Sequence, residues 1–348
     1  MSWYKDTDDK QILSSRVRLA RNIDNYNFHR KLDANDAIIL VQEVQDAVYQ
    51  TDCFHFFQEV ELDELDDVDK LVYLEKHIIS PQFLKGSLPK GVFVSDDKNV
   101  SIMINEEDHV RIQSVRPGDD LDYSLKLANQ VDDYIEEHLD FAFDAELGYL
   151  TACPSNVGTG LRASFMIHLP CLDETELLEK LIPYITKAGM TMRGIYGEGT
   201  APMGSIFQIS NQYTLGKSEE EIVQSLKDVT KNIIKHENLA RDKMLSKGRS
   251  SLQDRVYRAY GVLAYCRKIS VTEAMDFLSD IRLGYLTKIL ELPKPEKQIY
   301  QIMMEIQPGH LHRFANKGMS ESETDVARAK FLRSIFNESL AGSMPGHK

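Results

Sequence analysis

The apolar pattern of this 348-residue chain changes its period once, near Gly216. Before that point short apolar runs alternate with turn residues; beyond it the apolar residues recur at helical spacing. In the first part Val100–Ile104, Val110–Val115, Gly148–Ala152, Ala163–Leu169 and Ile206–Ser210 read as strands, and Ala34–Tyr49, Leu121–His138 and Glu174–Ala188 as helices. The strands ending at Asn105 and starting at Val110 are too close for a parallel crossover, so they pair antiparallel. The pattern predicts an α+β domain over residues 10–240, an antiparallel sheet flanked by helices. Ser218 and Glu221 then have capping-box spacing ahead of Ile222, Leu226, Val229 and Ile233. Gly248 is expected to end that helix. Further helices are expected over Leu252–Arg267, from the Ser270/Glu273 cap, beyond Pro293 and Pro295, and from the Ser320/Glu323 cap to Leu340. The second domain is therefore all-helical, over residues 250–340.

Charge and cysteine usage narrow the function classes. Lys and Arg number 41 against 54 Asp and Glu, a formal net charge of −13, which disfavours general nucleic-acid binding and favours cationic partners. The acidic run Glu59–Asp69 reads as a solvated helix face. No apolar run approaches the ~20 residues of a membrane span, and the N-terminus lacks the apolar core of a signal peptide. Cys53, Cys153, Cys171 and Cys266 are scattered without a C-x-x-C pair, so neither a zinc site nor a disulfide framework is expected, and a reducing cytoplasm is.

Five arginines stand in local settings that suit a nucleoside triphosphate: Arg16 and Arg18, Arg111, Arg162 and Arg193. Phosphoryl transfer needs cations around the transferring group, and guanidinium grips phosphate oxygens with paired bonds. The chain has no G-x-x-x-x-G-K-[ST] loop and no Gly-rich kinase loop, so these arginines would have to serve instead. Gly158-Thr159-Gly160 precedes Arg162, and Gly194 to Gly199 follow Arg193, where glycine lets backbone approach phosphate. Glu106-Glu107-Asp108 packs three carboxylates together, a costly cluster unless Arg111 or a magnesium nucleotide neutralises it.

Taken in order, SSRVR (Ser14–Arg18), NEEDHVR (Asn105–Arg111), CPSNVGTGLRA (Cys153–Ala163) and RGIYGEG (Arg193–Gly199) followed by FQISNQ (Phe207–Gln212) resemble the phosphagen, or guanidino, kinase family. Within it the chain looks like the bacterial protein-arginine kinases. SSRVR begins at Ser14, leaving no room for the helical domain that precedes it in small-molecule members, and a long segment follows the last motif. The resemblance implies ATP binding by Ser14, Ser15, Arg16, Val17, Arg18, His77, Arg111, Arg162, Ala163, Ser164, Phe165, Met166, Arg193, Gly194, Ile195, Tyr196 and Gly197. Met166 stands where small-molecule members often carry histidine. The resemblance also implies that Glu107 and Glu198 hold the acceptor guanidinium beside the Cys153 thiol, with Glu107 taking the proton. Magnesium arrives with the nucleotide, and Glu106 and Asp108 are expected to serve its water shell.

In the tail, Asp325, Arg328 and Ala329 match a phosphoarginine-binding motif whose first arginine is replaced here by Thr324. An exposed i,i+3 salt bridge is the alternative reading of that pair. The expected activity is ATP-dependent phosphorylation of protein arginines. Family resemblance adds marking of proteins for a Clp ATPase/protease, control of a heat-shock repressor, a zinc-binding activator protein, and a homodimer with a regulatory helical domain. The rival readings are a kinase of free arginine and a catalytically dead adaptor that reads phosphoarginine.

Overall fold

The computed structural model describes residue 4 and residues 10–50, 56–175, 177–194 and 202–341, with side chains to residue 337. Its centre is an eight-stranded sheet ordered β2-β3-β4-β5-β1-β8-β10-β9. The strands are β1 (Ile12–Arg21), β2 (Phe57–Glu59), β3 (Gly91–Ser95), β4 (Val100–Ile104), β5 (Val110–Pro117), β8 (Leu161–His168), β9 (Met190–Gly194) and β10 (Ile206–Asn211). Every neighbouring pair is antiparallel. The expected fold class, an antiparallel sheet flanked by helices, is the observed one.

Strand period 2 sorts the sheet into two faces. Val17 lies opposite Ser114 and Ala163, and Leu19 opposite Ile112 and Leu161. The apolar ones, with Phe165 and Ile209, are buried in the main core, and Ser114 is buried beside them. That face is covered by α1 (Ala34–Gln50), α4 (Leu121–Glu136) and the start of α7 (Glu219–Tyr265). In α1 the buried positions are Ala37, Leu40, Val44, Ala47 and Val48, the stripe a core-facing helix needs. Asn129 of α4 donates to Glu219 of α7 at 2.8 Å, which fixes the two helices side by side.

Among the described residues, the opposite face is covered at its flanks. On one side Ile78, Ile79 and Phe83 pack on Val92, Val94 and Met103 in a second, smaller core. They belong to the segment joining α2 (Asp67–Glu75) to α3 (Pro81–Lys85). On the other side His168 at the end of β8 meets α8 (Val271–Leu286): its Nε2 lies 2.8 Å from Ser279 Oγ and its Nδ1 2.6 Å from Arg282. The strip of sheet between these flanks is open.

Several local expectations are corrected. β1, the central strand, was not among the expected strands. Gly148–Ala152 shrinks to β7 (Gly148–Tyr149), paired with β6 (Phe143–Asp144) in a separate ribbon. Glu174–Ala188 becomes α5 (Pro170–Glu174) and α6 (Leu177–Lys187). Ser218 caps α7 with the full capping box, and the expected break at Gly248 is observed: the backbone leaves helical geometry there (φ −139°, ψ 28°), a kink at which two helical segments of α7 meet. Beyond the prolines there are two short helices, α9 (Ile299–Glu305) and α10 (Pro308–Ala315), before α11 (Glu321–Ala341). The main core runs without interruption from Leu13 to Phe336, through both the sheet and the helical tail. Among the described residues no helix is long and apolar enough to cross a membrane.

Candidate active site

The open strip of sheet is the floor of a cavity of about 990 Å³. Its cations follow from the register. Arg18 pairs across strands with Gln113 and Arg162, Arg16 with Ser164, and Arg193 with Gln208, so all stand on one face. Arg111 lies two residues from Gln113 and shares that face. Arg16, Arg18, Arg111, Arg162 and Arg193 all line the cavity. Burial, then Arg111 and Arg162, lowers the Arg16 guanidinium to about 10. Burial, then Arg16, Arg111 and Arg162, lowers Arg18 as well. Cations packed this closely repel one another, and a polyanion on the floor would relieve that repulsion. The triphosphate of ATP is such a polyanion, and this set of donors suits it.

The pleat divides the expected nucleotide residues. Arg16, Arg18 and Arg162 face the cavity, while Val17, Ala163 and Phe165 point into the core and are fully buried. Ser15 also faces away, donating to the Gly118 carbonyl (2.6 Å) and accepting from the Asp120 amide (2.8 Å). The side chains of these four stand behind the floor. Ser14, Ser164 and Met166 are on the cavity side of the pleat and buried. Gly194 ends β9 opposite Phe207. Ile195, Tyr196, Gly197 and Glu198 lie outside the described residues. His77 lines the cavity, and burial together with Arg16 and Arg18 lowers its imidazole to about 3. It is therefore neutral among the cations.

The acidic turn gives its three carboxylates three environments. Glu106 pairs with Arg111 at 2.6 Å and accepts from the Ser80 hydroxyl and the Glu107 amide. Burial raises its carboxyl, but Arg111 and these donors outweigh that and hold it below the ordinary range. Asp108 accepts from Asn22 Nδ2 (2.8 Å) and the Ala152 amide (2.6 Å), yet burial leaves it raised. Both carboxylates are thus held by protein partners. Glu107 opens to the cavity, and burial, then Asp108 and Glu106, raises it. Cys153 lines the same cavity, its Sγ 3.1 Å from Ser155 Oγ.

The comparisons with known proteins fit this geometry. The family model described as ATP:guanido phosphotransferase, C-terminal catalytic domain, matches residues 40–240. The model described as Protein-arginine kinase McsB C-terminal domain matches residues 249–344. The protein-arginine kinase of Geobacillus sp. (strain WCH70) is 44% identical over 95% of this chain and 92% of its own length. The chain belongs to the protein-arginine kinase family. It is 41% identical to the protein-arginine kinase of Bacillus subtilis (strain 168) over 98% of this chain and 94% of that one. A solved lombricine kinase is 25% identical with TM-score 0.60, covering 71% of this chain and 70% of that one. The chain is accordingly a phosphotransferase.

Residues that motif reading passed over hold this kinase's loops in place. Arg21 bonds Asp132 (Nη2 to Oδ2, 2.6 Å), donates to the Thr159 carbonyl (3.0 Å) and stacks on Tyr149, 3.6 Å from its ring centre. It braces the Cys153–Gly160 loop from behind. Gly160 is obligatory there: at φ +64°, a Cβ would lie 2.5 Å from the Ala20 carbonyl. His109 accepts the Ile23 amide on Nδ1 (3.1 Å) and has Nε2 3.0 Å from the Asn27 carbonyl, pinning the acidic turn. The signal for Arg21 was its odd-numbered place on β1, which puts it on the opposite face from Arg16 and Arg18.

In the tail, the exposed salt-bridge reading of Asp325 and Arg328 is corrected. Arg328 is buried; it pairs with Asp325 at 2.6 Å and donates to the carbonyls of Ile306 (3.0 Å) and Ile269 (2.9 Å). Ala329 is fully buried in the core. Thr324 is also buried, bonded to the Ser320 carbonyl (2.8 Å) and 3.0 Å from His312 Nε2.

Proposed function

We propose that this protein transfers the terminal phosphoryl group of ATP to arginine side chains of proteins. The observation that carries the reading is the meeting of five arginines with Glu107 and Cys153 in one cavity. Arg16, Arg18, Arg111, Arg162 and Arg193 would hold the phosphates and strengthen their grip as charge builds on the transferring group. Magnesium bound with the nucleotide supplies further neutralisation of that charge. Glu107 would accept the acceptor nitrogen's proton, because its raised carboxyl is the exposed one of the three that line the cavity. Cys153 would face the guanidinium; Glu198 completes the grip in the family pattern. Glu106 orients Arg111, and Asp108 orients the turn, so any contact of theirs with the metal's waters is shared with those roles.

We further propose a catalytic unit over residues 10–240 and a regulatory, dimer-forming unit over residues 250–340, joined through the bent helix α7. The cellular setting that the resemblance suggests is cytoplasmic marking of proteins for a Clp protease, control of a heat-shock repressor and a zinc-binding activator. The test is to incubate the purified protein with Mg-ATP and an arginine-rich protein and locate acid-labile phosphate by mass spectrometry. Phosphoarginine in the wild type and none in Glu107→Gln is the expected result. Phosphate on serine, threonine or free arginine only would overturn the reading.

A further inference from the structure

The helical tail touches the cavity through α2. Glu75, the last residue of α2, is buried, and its carboxylate accepts from the amides of Gly309 (2.6 Å) and His310 (3.1 Å) in the first turn of α10. His310 Nδ1 also lies 2.7 Å from Glu75 Oε2. An anion at a helix N-terminus satisfies amides that have no partner within the helix. The contact is tight: a Cβ on Gly309 would stand 2.9 Å from Glu75 Oε2 and 3.0 Å from the Val72 amide nitrogen. α10 is held from its far side by α11, where Thr324 meets His312, and Arg328 of α11 bonds the Ile306 carbonyl at the end of α9 just before it. Glu75, Gln307 and Pro308 themselves line the cavity.

Two residues beyond Glu75 the chain bends at His77, which has φ +54°. A side chain in the left-handed region is strained and persists where its surroundings fix it from several sides. Here the fixings are visible. Glu75 anchors the bend on the helical side, Ser80 anchors it to Glu106 on the sheet side, and Gln113 donates to the His77 carbonyl. His77 is thereby presented to Arg16 and Arg18.

We infer that Glu75 is a positioning residue for the nucleotide. Its grip on the first turn of α10 holds the His77 bend against the phosphate end of the cavity, so the helical tail sets nucleotide affinity while leaving the acceptor end alone. The inference rests on the reading of this cavity as the ATP site.

The test uses the full chain, with Mg-ADP as the calorimetric probe and initial rates on an arginine-rich acceptor protein. Glu75→Gln keeps the shape but loses the charge that the two amides hold, and is expected to weaken Mg-ADP about tenfold. The acceptor KM should stay within about twofold, since no contact of Glu75 reaches Glu107 or Cys153. His77→Ala should weaken Mg-ADP to a similar degree, and the double variant should be no weaker than His77→Ala alone. Gly309→Ala enters the same contact from the other side and keeps the charge; it should reproduce the split, and it carries the test should Glu75→Gln fail to fold. A folded variant with wild-type Mg-ADP affinity overturns the inference. So does equal weakening of nucleotide and acceptor, which marks general loosening, or additivity with His77→Ala. A wild-type protein that does not bind Mg-ADP refutes the nucleotide reading itself, a different result from any of these.

Discussion

Glu107→Gln separates chemistry from binding at this site. The change keeps the shape of the side chain and keeps the bond from the Glu107 amide to Glu106 Oε2. It removes the one carboxylate of the acidic turn that is exposed, so little folding energy is at stake. A positioned general base contributes ~10²–10⁴-fold, or roughly 3–5 kcal/mol of barrier. The rate of phosphoarginine formation should therefore fall by about that factor. Nucleotide affinity should hold or rise, because Glu107 lies beside Glu106 and Asp108 and its removal lessens the repulsion of phosphate. The sign of the pH effect is fixed by the raised carboxyl. A base works only when deprotonated, so the wild-type rate should climb with pH until Glu107 has ionised, above the ordinary carboxylate range. The glutamine variant should lack that rise. Single-turnover assays across the acid range, with Mg-ADP calorimetry beside them, measure both. A glutamine variant within about threefold of the wild-type rate, or one with the same pH profile, would refute the assignment.

Arg162→Ala should weaken Mg-ADP by about ten- to a hundredfold, the value of one charge-assisted phosphate contact of ~1.5–3 kcal/mol, and slow transfer with it; unchanged calorimetry would place Arg162 outside the site. Burial lowers His109 to about 4, whereas the unfolded histidine titrates near 6.5, so the unfolded chain binds the extra proton in between. Stability is then complete above pH ~6.5 and lost as pH falls toward 4, about 2 kcal/mol of it by pH 5 from this residue. Denaturant unfolding of wild type and His109→Gln at pH 7 and 5 reads the difference, and an equal pH loss in both would refute it. Arg328→Ala strips donors from the buried Ile306 and Ile269 carbonyls and from Asp325, and should cost about 3 kcal/mol. A change in thermal unfolding equivalent to less than about 0.5 kcal/mol would return Arg328 to the surface-pair reading.

How much of this was legible depends on which signal each element leaves in the sequence. Helix starts were legible because caps are local: Ser218 with Glu221 and Ser270 with Glu273 act over three residues, and both caps formed. The break at Gly248 was legible for a similarly local reason, since glycine is a poor helix former, and the next helical segment, which buries Leu252, Val256 and Ala259, starts just beyond it. The central strand escaped because its cavity-lining arginines alternate with core residues. Leu13, Val17 and Leu19 are buried behind Ser14, Arg16 and Arg18, a period-2 pattern that motif reading overlays. The same alternation turns the side chains of Val17, Ala163 and Phe165 into the core. Arg328 looked exposed because i,i+3 spacing is shared by surface pairs; only the distant Ile269 and Ile306 carbonyls reveal that it is buried.

The acidic turn shows how neighbouring carboxylates acquire different work. By composition Glu106, Glu107 and Asp108 are interchangeable, and repulsion alone would raise all three. Direct donors then divide them. Glu106 has a guanidinium, a hydroxyl and an amide, and ionises readily. Asp108 has an amide and a carboxamide as its donors, and stays raised by burial. Glu107 meets the cavity with its neighbours' charges behind it. Groups whose environments push their proton affinities apart take on different roles. The one lowered, Glu106, is suited to hold Arg111 for phosphate, and the one both raised and open, Glu107, is suited to take a proton. The repulsion within the cluster, a liability in an isolated turn, is then part of what makes Glu107 a base.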